Sequence, residues 1–267
     1  MTMAPLFFIS HGAPTFALEP GLLGGKLAAI GRQLPTMNAV LVVSPHWQTD
    51  EFRVMACAKP ETIHDFGGFP EALYQLQYPA PGAPQYATAA AKLLAKAGYS
   101  VSLDDFRGLD HGAWVPLRHL LPAARVPVFQ LSMPHTLDTA GALHLGQVLA
   151  PLRKQGVMIL CSGSLTHNLY EFRQGGAQAP YAREFAQWVH HAVLAEEIGR
   201  LVDYRTLAPH AERAHPTEEH LLPLLVALGA RSADEGAQII EGGITYGVLS
   251  MDSYAWGVPA EIDMATD

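Results

Sequence analysis

The chain has 267 residues, 49% of them hydrophobic and 16% charged, which provides for one sizeable core and excludes intrinsic disorder. Lys and Arg number 17 against 25 Asp and Glu, a net charge of -8 with no basic stripe, so no nucleic-acid partner is expected. No apolar run approaches the roughly 20 residues of a membrane span, and no membrane association is expected.

The first strand is expected at Leu6-Phe7-Phe8-Ile9, ending in Ser10-His11-Gly12-Ala13-Pro14. A helix follows over 22–33, closed by Leu34-Pro35. The unbroken apolar run 39–43 reads as a strand buried on both faces, stopping at Ser44-Pro45-His46-Trp47. A further strand is expected over 52–56, then a Pro- and Gly-rich loop over 59–84, read as an excursion over the sheet edge. Residues 85–97 are Ala-rich and helical, with Gly98 as the stop. A strand over 126–131 leads to a helix over 139–155, interrupted by Pro151. The strand over 157–161 ends at Ser162-Gly163-Ser164-Leu165-Thr166-His167-Asn168. Helices are expected over 180–198 and 216–228, each with Pro near its start, and residues 244–251 should close the sheet. This alternation predicts a single α/β domain over 1–267, with a mostly parallel central sheet covered by helices. The N-terminal Met1-Thr2-Met3-Ala4-Pro5 lacks the basic region of a signal peptide, and two cysteines, Cys57 and Cys161, cannot make a disulfide framework. A cytoplasmic, reduced setting is expected.

The anomaly in the composition is 13 histidines against 2 cysteines. With so little sulfur, any metal would sit in a nitrogen and oxygen shell. His11, His46 and His167 each fall at the carboxyl end of an expected strand, where open α/β sheets bind ligands. Small or turn-forming neighbours (Gly12, Pro45, Ser162-Gly163-Ser164) let the backbone crowd one point. In His210-Ala211-Glu212-Arg213-Ala214-His215-Pro216-Thr217-Glu218-Glu219-His220, spacings of five forbid one helix face. Pro216 places His215 before a helix and His220 in its first turns, bordering the apolar Leu221-Leu222-Pro223-Leu224-Leu225. Asp110-His111-Gly112-Ala113-Trp114 reads equally as an oriented acid or base over an aromatic cavity and as a helix N-cap beside a packed Trp. His64-Asp65-Phe66 is a weaker version, and His119, His144, His190 and His191 read as surface or structural. His-Glu-x-x-His, P-loop and nucleophile-elbow patterns are absent, and Gly24-Gly25 follows no strand.

Taken in order, Ser10-His11-Gly12-Ala13-Pro14, Ser44-Pro45-His46-Trp47, Asp110-His111-Gly112-Ala113-Trp114-Val115-Pro116-Leu117, Ser162-Gly163-Ser164-Leu165-Thr166-His167-Asn168 and His215-Pro216-Thr217-Glu218-Glu219-His220 resemble the class III extradiol ring-cleavage dioxygenases. The similarity is strongest to the DOPA 4,5-dioxygenase-like branch. The resemblance implies the fold of the protocatechuate 4,5-dioxygenase β-subunit and one mononuclear Zn(2+) or Fe(2+) site acting on a small aromatic diol and O2. It implies His11 and His46 as metal ligands, with His220 where other members carry a glutamate. It implies His167 as an acid/base group or a further ligand. His111 joins His167 as a candidate for proton transfer, and Trp47, Trp114 and Tyr246 are candidate walls of an aromatic pocket. The all-histidine ligand set keeps an alternative open: a zinc-binding non-oxygenase on the same fold, either a hydrolase or a Memo-like binding protein.

Overall fold

Strand β1 (Leu6–Ser10) lies at the heart of an eight-stranded sheet and is buried along its whole length. It runs parallel to β6 (Val157–Gly163) on one side and antiparallel to β10 (Ser253–Trp256) on the other. The computed structural model describes residues 3–172 and 177–259; the parts of the expected domain and N-terminal reading that fall on 1–2, 173–176 and 260–267 lie outside them.

Four strands continue the sheet beyond β6. These are β2 (Ala39–Thr49), β5 (Val128–Pro134), β3 (Phe52–Met55) and β4 (Val101–Asp104), with β7 (Gln238–Ile240) at the opposite edge beyond β10. The order is β4-β3-β5-β2-β6-β1-β10-β7. The β1–β6, β6–β2, β2–β5 and β3–β4 pairs are parallel, while β3–β5, β1–β10 and β10–β7 are antiparallel. The mostly parallel α/β sheet is as expected. Apolar β-branched runs fill its centre because helices cover both faces and leave no face for polar alternation.

The principal helices are α1 (Gly21–Gln33), α2 (Glu71–Tyr74), α3 (Pro84–Lys96), α4 (His111–Leu120), α5 (Thr139–Leu149) and α6 (Pro180–Leu194). Three short ones follow, α7 (Ile198–Val202), α8 (Tyr204–Leu207) and α9 (Ala211–Ala214), before α10 (Leu222–Ala230). Helix α10 is apolar all round and buried, as such a helix must be. It lies so close to α5 that a Cβ on Gly146 would strike the Val226 carbonyl.

Five expectations need correction. Strand β2 does not stop at Ser44; it runs on to Thr49, with its register against β5 shifting between Val43 and Gln48. Pro45 is accommodated at that irregularity, one of the few places where a strand tolerates proline, so His46 projects from inside the strand. Residues 244–251 do not close the sheet. They form a separate hairpin of β8 (Ile244–Thr245) and β9 (Leu249–Ser250), because Gly243, Tyr246 and Gly247 take positive φ and turn the chain. Closure falls instead to β10 and β7. Helix α10 begins at Leu222 rather than 216, since Pro223 suits its first turn and Pro216 only opens a bend; His220 therefore precedes the helix. The helix expected over 139–155 is found, as an α-helix to Leu149 that tightens to a 3-10 turn over Ala150–Gln155 at Pro151, whereas the one expected to reach 198 ends at Leu194. Strand β4 had no apolar run to announce it, being a partly exposed edge strand.

Arg153 is a fully buried cation that ties the segment before β1 to the one after α10. It donates to the Ala4 and Ala230 carbonyls and makes a two-pronged pair with Glu235, at 2.6 and 2.7 Å. Removing one partner of such a pair leaves an uncompensated charge. Arg153→Met is expected to cost about 3 kcal/mol in urea unfolding, and pairing it with Glu235→Gln should return part of that loss.

Candidate functional site

The carboxyl ends of β1, β2 and β6 bring their loops to one point, and α4 starts there too. His11 follows β1, where Gly12 takes φ 60 and turns the chain away. Asp110 caps α4, with Oδ1 accepting from the Ala113 N–H, so His111 becomes the first helical residue. The helix-cap reading of that motif holds, and the cap leaves His111 beside His11 and His46.

His11, His46, His111 and His220 surround a common space. The His11 and His46 ring centres lie 4.9 Å apart, His46 and His220 5.2 Å, and His11 and His220 5.5 Å. His111 lies 3.9 Å from His46 and 5.5 Å from His11. His167 stacks on His220 at 3.5 Å, with the planes only 8° apart. Ligand-capable atoms fall into two groups, each within 4.8 Å: His11 with His46 and His111, and His167 with Glu219 and His220.

The environment favours the neutral form of His11, His46, His167 and His220, the form in which imidazole binds metals. Burial, then the neighbouring histidines, keeps His11 and His220 well below the ordinary histidine range. Burial also lowers His46 and His167 to about 4. The nitrogen pointing away from the centre has an oxygen near it in three rings. His11 Nδ1 is 2.8 Å from Ser162 Oγ, and His220 Nδ1 is 3.0 Å from Glu219 Oε1. His46 Nδ1 is 3.8 Å from Asp65 Oδ2. Such outer contacts fix the tautomer and leave Nε2 as the lone-pair donor. The His11 and His46 Nε2 atoms face each other at 3.0 Å, and the buried His220 Nε2 has no hydrogen-bond partner. A buried polar atom without a partner is costly, and a cation at the centre would satisfy all three nitrogens. The residues fit a metal.

Several contributors were not singled out in the sequence. Asp110, fully buried, accepts from Ser44 Oγ, Gln130 Nε2 and Arg107; Arg107 also donates to the His46 carbonyl. One carboxylate thus braces both His46 and His111. Gly112 is obligatory beside them, since a Cβ there would strike Ser44 Oγ and the His46 ring. Asp65, in the loop over 59–84, accepts the His111 backbone N–H at 2.9 Å. Burial would raise its carboxyl, but the His111 contacts prevail and hold it at about 2. Only its place beside His64 in a Gly-rich loop hinted at this position.

Other expected residues fall elsewhere. His215 is buried and donates from Nε2 to the Leu165 carbonyl, fastening the segment that carries His167. His210 pairs with Glu184 at the surface. Trp114 sits behind His111 with its indole N–H on the Ile63 carbonyl, and Trp47 lies under the Arg107 guanidinium. Tyr246 stacks on Phe172 and bonds to Thr15, lining a cleft of about 300 Å³ beside residues 13–23. Among the described residues no helix is long and apolar enough to cross a membrane.

Known proteins share this arrangement's sequence and fold. The family model described as the catalytic LigB subunit of aromatic ring-opening dioxygenase matches residues 26–255. The chain is 42% identical over 254 residues to the 4,5-DOPA dioxygenase extradiol of Beta vulgaris, covering 93% of this chain and 94% of that protein. It is 39% identical over 262 residues to the protein of the same name from Escherichia coli (strain K12), covering 96% of each. The crystal structure of an uncharacterized protein from Escherichia coli K12 matches with a TM-score of 0.78 at 33% identity, over 94% of this chain and 99% of that one. The chain belongs to the LigB family of aromatic ring-opening dioxygenases.

Proposed function

We propose that this protein opens the ring of a catechol beside its diol, using O2 at one metal ion held by His11, His46 and His220. The observation that carries this reading is the near-equal spacing of those three rings, 4.9, 5.2 and 5.5 Å. Three imidazoles on one tetrahedral ion, at about 2.1 Å per nitrogen, have centres roughly 5 Å apart. His111 lies closer to His46 than that spacing, which suits a place beside the ligand set. Fewer than four protein ligands leave positions for a substrate. What a redox-active divalent ion supplies when bound is an electron path between diol and O2, which zinc lacks.

The protein's own part is to hold the diol and to move protons. His167 is neutral at pH 7 and partly open to the cavity, so it is fit to take a catechol hydroxyl proton as a general base. Once protonated in a buried setting it becomes a strong acid, suited to return that proton later in the reaction. His111, 3.9 Å from His46 and 5.5 Å from His11, borders the same space and is the second candidate for moving a proton of the diol. DOPA, the substrate class in the relatives' names, is such a catechol.

The test is to strip the purified protein with a chelator and reload it without oxygen, in parallel with Fe(II) and Zn(II). On air exposure with a panel of catechols, the iron form should consume O2 and give a yellow ring-opened semialdehyde, while the zinc form binds but does not turn over. Full iron occupancy with no O2 uptake on any catechol would overturn the oxygenase reading. It would leave the zinc-binding reading that the all-nitrogen ligand set favours.

A further inference from the structure

We propose that Asp65 is the positioning residue of His111, holding its Nδ1–H so that Nε2 faces the reacting diol; this rests on the ring-opening reading above. Asp65 grips His111 at two points. Oδ1 accepts the backbone N–H at 2.9 Å, and Oδ2 lies 3.0 Å from Nδ1 of the same residue. The second contact is off the straight N–H line, a looseness common before substrate arrives. The first contact fixes the start of α4, and the second sets Oδ2 beside the ring, within reach of Nδ1–H after a small turn of the imidazole. A neutral imidazole with Nδ1–H on an oxygen has its lone pair on Nε2, the atom on the far side of the ring from Asp65.

The surroundings make this clamp specific. Phe66, the next residue, packs edge-on to the His111 ring at 5.7 Å, and Trp114 backs the same loop through the Ile63 carbonyl. Oδ2 also lies 3.8 Å from His46 Nδ1. One carboxylate therefore lies against two rings of the cluster. Asp65 thereby sets a carboxylate behind the His111 ring. This is the role the buried aspartate plays behind the histidine of a hydrolase triad, where it orients the ring and stabilises its charged form without itself changing protonation.

Asp65→Asn tests the assignment, because the amide oxygen can still accept the His111 backbone N–H while the amide nitrogen cannot accept Nδ1–H. With the iron-loaded protein, kcat for catechol-dependent O2 uptake is expected to fall about 10–100-fold, with KM and bound iron unchanged. In the metal-free protein, the downfield imidazole N–H proton resonance that disappears in His111→Gln should also be lost from Asp65→Asn. Asp65→Glu should recover part of both. The proposal is overturned if Asp65→Asn keeps that resonance and a kcat within about twofold of the original, the range of a surface change. It is equally overturned if Asp65→Asn sheds the iron or unfolds and Asp65→Glu restores nothing, the behaviour of a purely structural cap. If the unsubstituted protein opens no catechol, the ring-opening reading fails, and the resonance comparison still decides whether Asp65 orients His111.

Discussion

Alanine at His11 is expected to leave the protein folded, with metal affinity reduced at least a hundred-fold and no measurable O2 uptake on any catechol. Zinc binding by four protein ligands is worth about 10–16 kcal/mol, so one imidazole contributes on the order of 3 kcal/mol, roughly a hundred-fold in affinity. The site is not built to spare one. His11 Nε2 faces His46 Nε2 at 3.0 Å, and its removal takes away both a ligand and a wall of the cavity. The side chain lies past the end of β1 and its pairing with β6 uses backbone, so thermal unfolding of the metal-free variant should stay close to that of the metal-free original. Metal content after dialysis, read by atomic emission, checks the first part. A His11→Ala protein that retained a full equivalent of metal would move the ligand set to another group of histidines.

Replacement of His167 by Gln should give the opposite pattern: metal retained and the rate lowered by about 10²–10⁴, the usual contribution of a general acid or base. His167 stands behind His220 in a parallel stack at 3.5 Å, an arrangement that supports the neighbouring ring without requiring a bond to the ion. Its segment is fastened independently: the His167 N–H donates to the Ala214 carbonyl, and His215 holds the Leu165 carbonyl. The loop should therefore keep its place when the imidazole is gone. Single-turnover measurements with pre-bound catechol separate loss of rate from loss of binding. Loss of the metal itself from His167→Gln would make His167 a ligand.

Much of this architecture is written in local pattern. The apolar runs at 39–43 and 157–161 admit only a doubly covered strand, and the histidines beside them inherit their place from the rule that parallel sheets bind ligands at strand ends. His111 was legible for a similar reason, since Asp before a helical stretch with Gly following declares a cap. Less legible were elements whose partners are distant in sequence. Strand β4 takes its identity from pairing with β3, since its alternating Val101-Ser102-Leu103-Asp104 is too short a run to stand out by itself. The hairpin at 244–250 and the true closing strand β10 were confused because both are short and apolar, and positive φ at Tyr246 cannot be read from its side chain. Asp65 and Asp110 stand in named motifs, but their bracing roles carry no sequence signal, for a chemical reason: a carboxylate that acts through a histidine has no spacing of its own, only the contacts that folding gives it.

The position of β1 has a consequence for how the protein comes into being on the ribosome. This strand is synthesised long before both of its neighbours, residues 157–163 and 253–256. The strand that delivers His11 therefore waits, apolar and unpaired, until β6 has emerged, and is flanked on both sides only once β10 has. His46 sits on β2, whose pairing begins with β5 and is completed by β6. Such long-range pairing makes folding slow and leaves hydrophobic strands open to aggregation meanwhile. It also imposes an order of assembly: the nascent chain cannot gather His11, His46 and His220 until residue 220 has been made, so metal capture is a step of completion rather than a nucleus for folding.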